Sequence, residues 1–95
     1  MSETSHQIST EHPQIKVLFF AALREASGTA ELRLSLPAPL QISGLLAFIA
    51  AGSAQVQQAL AGREILAAIN QQLVSPHAWV QPGDEVALFP PVTGG

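Results

Sequence analysis

Cysteine is absent from the 95 residues, which excludes disulfides, thiolate metal sites and a cysteine nucleophile. Charge is scarce too. Asp, Glu, Lys and Arg make up 12% of the chain, half the usual share of about 25% in a soluble domain. Basic residues are the rarer kind, 4 against 7 acids for a net charge of −3. That balance argues against nucleic acid or an anionic membrane as the main partner. No apolar run is long enough to cross a bilayer, and no internal repeat is present. The first residues carry neither a basic n-region nor an apolar h-region, so no secretory signal is expected, and their lack of Arg and Lys argues against a mitochondrial presequence. The expectation is a soluble, cytoplasmic protein.

What is there is apolar. Hydrophobic residues form 47% of the chain, enough for the core of one small domain. So many apolar residues beside so few charges imply a surface patch kept for a partner. Residues 1–14 stand apart: they hold Ser, Thr, Glu, His and Gln with a single Pro, and Ile8 is the one large apolar residue after Met1. We read them as a flexible extension. His6 and His12 have no ligand cluster around them and read as solvated.

The pattern changes at Ile15. Ile15-Lys16-Val17-Leu18-Phe19-Phe20-Ala21 is β-branched, aromatic and too short for a typical helix, so it predicts a strand. Residues 22–28 form a short connection with one helical turn, closed by Gly28. Residues 30–36 alternate at period two and predict a half-buried strand with Leu32, Leu34 and Leu36 inward; the short spacing around Gly28 makes the pair an antiparallel hairpin. Pro37 and Pro39 end it. Ile42, Leu45, Leu46 and Ile49 share one face of a helix over residues 41–51. Ser53 caps a second, short helix reaching Leu60, and Gly62 breaks it. Residues 65–70 are a strand, followed by a turn at residues 70–72 and a short strand at Leu73-Val74. Gln81-Pro82-Gly83-Asp84 fits a type II turn, with Pro at i+1 and Gly at i+2. Residues 85–89 form the last strand.

A hairpin crossed by one main helix and completed by later strands is the β-grasp arrangement of ubiquitin-like proteins, an α+β fold with a mixed sheet packed on a helix. The domain spans residues 15–89, with residues 90–95 as an extended tail. Alternation then separates the faces. Lys16 belongs in solvent, and Leu18 and Phe20 lie on its side of the strand. In the last strand Val86 and Leu88 face in, while Glu85, Ala87 and Phe89 face out. If the two strands are neighbours, Leu18, Phe20, Ala87 and Phe89 form an apolar docking patch that Leu73 extends. The alternative is that strand ends curl over these residues and cover them. Burying such side chains against a partner contributes roughly 1.5–3 kcal/mol each before the costs of association.

The chain as given ends Phe89-Pro90-Pro91-Val92-Thr93-Gly94-Gly95. Two final glycines are costly to order and pack nothing; at a glycine frequency of about 7% they fall together by chance in roughly 0.5% of chains. They suit a thin tail whose carboxylate enters a narrow site on another protein. Extended, residues 90–95 reach at most roughly 20 Å. Pro90 and Pro91 stiffen the root and reduce the entropy lost on insertion, and Gly94-Gly95 passes a constriction that a Cβ would block.

Three segments carry a resemblance: Ile15-Lys16-Val17-Leu18-Phe19-Phe20-Ala21, Leu66-Ala67-Ala68-Ile69-Asn70-Gln71, and Gly83-Asp84-Glu85-Val86-Ala87-Leu88-Phe89 running into the tail. From Ile15 onward the chain resembles the small-subunit family of molybdopterin synthase, which are ubiquitin-like sulfur carriers. Phe-Pro-Pro-Val-x-Gly-Gly after a Gly-Asp-Glu-Val strand is the specific part; residues 1–14 depart from the family's short form. The resemblance implies that the Gly95 carboxylate is adenylylated by an E1-like adenylyltransferase using ATP and magnesium, and is then converted by a sulfur donor protein to a thiocarboxylate, a C-terminal 1-thioglycine. It implies delivery of that sulfur to cyclic pyranopterin monophosphate in the large synthase subunit, within a heterotetramer holding two of each subunit. Val92 and Thr93 join Pro90, Pro91 and Gly94 as the inserted tail. No cofactor or metal bound by this chain is expected.

The chemistry suits such a terminus. A carboxylate is a poor electrophile, and the mixed anhydride with AMP supplies a leaving group for sulfur attack. Neither step needs a general base from this chain. His77 follows Ser75-Pro76 with no partnered carboxylate or nucleophile and reads as a loop residue. Asp84 and Glu85 at the final turn read as a solvated turn or as charges that steer a partner. Other readings are a sulfur carrier for thiazole or another thio-metabolite, a ubiquitin-like modifier joined through Gly95, and a β-grasp interaction domain with an inert tail.

Overall fold

The structure, a computed structural model, describes residues 13–36 and 38–91. Expectations for residues 1–12 and for Pro37, Val92, Thr93, Gly94 and Gly95 lie outside them. The strands are β1 (Gln14–Phe19), β2 (Glu31–Ser35), β3 (Leu40–Gln41), β4 (Leu66–Ile69), β5 (Gln72–Val74), β6 (Trp79–Val80) and β7 (Glu85–Phe89). The helices are α1 (Ala21–Ser27), α2 (Ile42–Ala51) and α3 (Ala54–Leu60).

Five strands form one mixed sheet in the order β2-β1-β7-β4-β5. β1 runs antiparallel to β2 and parallel to β7, and β4 is antiparallel to both β7 and β5. The last strand is therefore central, held on both sides. This is the expected β-grasp layout, with α2 packed across one sheet face.

That face is the core. Ile15, Val17 and Phe19 of β1 and Val86 and Leu88 of β7 are fully or almost fully buried, as are Ile42 and Leu45 of α2. The residues packed on them include Leu32, Leu34 and Ile69. Burial follows alternation in β1 and β7 because a helix covers one side only. Leu32 and Leu34 stay half-buried because β2 is the sheet's edge.

Local chemistry ends each element where the residues dictate. Gly28, at φ +72, closes α1, and its N–H donates to the Arg24 carbonyl; this left-handed position suits glycine. Ser53 Oγ accepts from the Val56 N–H at 3.2 Å and caps α3. Asn70 and Gln71, at φ +50 and +72, make the two-residue β4–β5 turn, whose positive φ values match a type I′ hairpin. Gly83, at φ +95, and the bond from Asp84 N–H to the Gln81 carbonyl at 3.1 Å give the expected type II turn. Three details differ from the sequence reading. The connection after β1 is a seven-residue helix rather than one turn. Gln14 is already in β1, opposite Ser35, so the strand starts one residue before Ile15. β3 and β6 form a separate two-stranded sheet, which no periodicity announces in two-residue strands. Among the described residues no helix is long and apolar enough to cross a membrane.

Candidate functional site

Among the described residues nothing covers the sheet face opposite α2, and strand register says what it presents. One row crosses all five strands: Glu31, Leu18, Ala87, Ala68 and Leu73 are successive partners. In the next row Phe89 of β7 lies opposite Leu66 of β4. Phe20 joins that end, because its N–H donates to the Leu88 carbonyl at 3.1 Å. The predicted residues Leu18, Phe20, Leu73, Ala87 and Phe89 thus share one surface, and the strands do not curl over it. Phe20 is 45% and Leu73 68% exposed.

The face has a shape. Ala87 and Ala68 sit side by side at its centre, each with one methyl, and Leu18 and Leu73 rise on either flank. The result is a shallow trough, and Ala68 is only 8% exposed at its floor. Leu66 and Ala68 were missed by sequence reasoning, since β4 lies in an unbroken apolar run that marks neither face. Pairing with β7 would have assigned them, because Ala68 sits opposite Ala87 and Leu66 opposite Phe89.

Charges rim the trough. Lys16 Nζ lies 4.0 Å from Glu85 Oε2, and Arg33 Nε donates to Glu31 Oε2 at 2.8 Å. The hydrogen bond from Arg33 holds the Glu31 carboxyl below its ordinary range, with the Arg33 and Lys16 charges adding to the effect. Asp84 is engaged internally: Oδ1 accepts from Asn70 Nδ2 at 3.0 Å and Oδ2 from the Gln81 N–H at 2.8 Å. Asn70 Oδ1 in turn accepts from the Glu85 N–H at 3.0 Å. This clasp ties the β4–β5 turn to the turn before β7 and fixes where β7 starts.

At its other end β7 runs from Phe89 into Pro90 and Pro91, both half-buried. The tail root therefore leaves a central strand at the aromatic end of the trough. Ala21, at φ +53, turns the chain sharply after Phe20, in a region that L-residues occupy at a cost. His77 is exposed; its N–H donates to Ser75 Oγ, and its carbonyl accepts from Gln41 Nε2. Among the described residues no three His, Asp or Glu side chains cluster as metal ligands would. The arrangement offers a docking surface and a rooted tail, with the reacting group expected at a terminus outside the described residues.

The model of the ThiS family matches residues 17–95. Over 81 residues the chain is 47% identical to the molybdopterin synthase sulfur carrier subunit of Escherichia coli, covering 85% of this chain and 99% of that one. SAMP1 from Haloferax volcanii is similar in fold, with a TM-score of 0.72 and 24% identity over 86% of this chain and 99% of that one. So is a chain in the protein–protein complex of subunits 1 and 2 of the molybdopterin-converting factor from Helicobacter pylori, with a TM-score of 0.59 and 22% identity over 86% of this chain and 99% of that one.

Proposed function

The chain belongs to the ThiS family, among the sulfur carrier subunits of molybdopterin synthase, and from that premise we propose how it carries sulfur. The Gly95 carboxylate attacks the α-phosphorus of ATP on an E1-like adenylyltransferase, giving a glycyl adenylate and pyrophosphate. Sulfur from a donor protein then attacks the activated carbonyl, AMP leaves, and the terminus becomes a thiocarboxylate. That group is largely ionised at neutral pH and carries a nucleophilic sulfur. Inside the large synthase subunit the sulfur bonds to a carbon of cyclic pyranopterin monophosphate as a C–O bond there breaks, and water then cleaves the resulting acyl C–S bond, leaving the sulfur on the pterin and returning the Gly95 carboxylate. Two deliveries complete the dithiolene. The partners of this cycle are cytoplasmic, and the working synthase holds two copies of each subunit.

One observation carries this reading beyond the family relation: the bare trough lies against the root of the tail. A partner that buries Leu18, Phe20, Leu73, Ala87 and Phe89, together with Leu66 and Ala68, receives Pro90 and Pro91 at a fixed position and heading. Docking then does the positioning, and the chain itself need supply no acid or base. The Asn70–Asp84 clasp anchors the start of the same strand. The test is reconstitution. Thiocarboxylated chain, large subunit and pterin precursor should yield dithiolene product, whereas chain carrying the ordinary carboxylate should yield none. Equal product from both forms would defeat the proposal.

A further inference from the structure

Beyond the sulfur-carrier role, we propose that β2 is a self-association edge, through which two copies of this chain pair antiparallel about a two-fold axis at Leu32. β2 ends the sheet order, so among the described residues one side of it has no strand partner. The Phe19 N–H donates to the Ala30 carbonyl at 2.9 Å, continuing the β1–β2 register. Antiparallel alternation then turns the backbone groups of Leu32 and Leu34 toward β1 and those of Glu31, Arg33 and Ser35 outward. These outward groups make an open edge, the ready template for another strand.

The side chains beside that edge are apolar. A groove of about 600 Å³ lies between β2 and the α2–α3 corner, lined by Leu32, Leu34, Phe48, Ile49 and Val56 among others. Phe48 is 47% exposed there. The opposite sheet edge offers less, because β5 has three residues and its Leu73 belongs to the docking trough.

Charge selects a second copy as the occupant and selects the register. Only registers that oppose the outward-facing odd-numbered residues can form ladder hydrogen bonds. A two-fold at Arg33 sets that residue against itself, and one at Glu31 sets two carboxylates together; like charges directly opposite are unfavourable. A two-fold at Leu32 places Glu31 opposite the partner's Arg33 and Arg33 opposite the partner's Glu31. The two Leu32 side chains then meet at the axis. That axis runs normal to the sheet, so both helical layers lie on one side and the two Phe48 rings approach across the seam. The Glu31–Arg33 contact of 2.8 Å within each strand exchanges for one between strands, two for two in the dimer. The tail root stays free in each copy.

Sedimentation equilibrium of the full chain, carried up to about 1 mM, should show a monomer–dimer equilibrium. Concentration-dependent amide shifts should centre on Glu31, Arg33 and Phe48. Arg33→Glu opposes four carboxylates at the seam and should weaken association about tenfold. Adding Glu31→Arg to it restores the alternation and should restore association. Both positions are exposed, and the amide spectrum confirms that each variant folds. A chain still monomeric at about 1 mM overturns the proposal. So does association that Arg33→Glu leaves unchanged, a double exchange that fails to restore it, or shifts that centre on Leu18 and Leu73 instead.

Discussion

The two faces of the sheet are built from similar apolar side chains, yet one is sealed and the other bare. Under α2 the inward face carries Ile15, Val17, Phe19, Val86 and Leu88, none more than 1% exposed. One residue along, Leu18, Phe20, Ala87 and Phe89 stand on a face that no element among the described residues covers. What separates the faces is shape. Large side chains interlock on the covered side, whereas the bare side has alanines at its centre and large residues at its margins. An apolar face of that form has room for a ridge from a partner. On the proposed reading, the covered residues carry stability and their neighbours along the same strands carry docking.

The sharpest way to sharpen that contrast is to change the tail and leave both faces alone. Gly94→Ala, or a residue added after Gly95, should abolish sulfur transfer with no change in the unfolding midpoint. Full activity in either variant would refute the insertion model. Next in size, Leu88→Ala opens a cavity on the covered face and should cost about 2–5 kcal/mol, read as a fall in the urea midpoint at constant slope. Loss of partner affinity without loss of stability in that variant would break the division. On the bare face, Leu73→Ser and Phe20→Ser should each weaken binding to the large subunit by about tenfold. Their effect on unfolding should stay within about 0.5 kcal/mol; calorimetry and denaturation on the same samples separate the two. The smallest effect concerns the rim. Glu31, with its carboxyl held low by Arg33, contributes stability that is present above the ordinary glutamate value and lost as pH falls through the lowered one. Arg33→Gln should flatten that slight acid dependence, which a denaturation series below neutral pH will show.

Much of this division was legible in the sequence, because β1 and β7 each carry a charged residue that marks the outer face. Lys16 fixed the side of Leu18 and Phe20, and Glu85 that of Ala87 and Phe89. The run Ile65-Leu66-Ala67-Ala68-Ile69 has no such marker, so Leu66 and Ala68 became visible only through pairing with β7. β3 and β6 escaped notice because two residues cannot show a period, and they lie among prolines and turn residues. The helix after β1 was underread for a different reason: it is seven residues long and buries just Leu23 and Ser27, too few to draw an amphipathic stripe. The half-burial of Leu32 and Leu34 reflects strand order, which local alternation does not encode.

If the bare face and the tail it roots serve a terminal carboxylate that carries sulfur, the chain itself must gain sulfur at Gly95. Intact mass spectrometry of the chain after incubation with the activating enzyme, ATP and a sulfur donor tests it most directly. The expected result is a gain equal to one oxygen-to-sulfur exchange, located by fragmentation at Gly95 and absent when ATP is withheld. An unchanged mass, or sulfur located at any other residue, would contradict it.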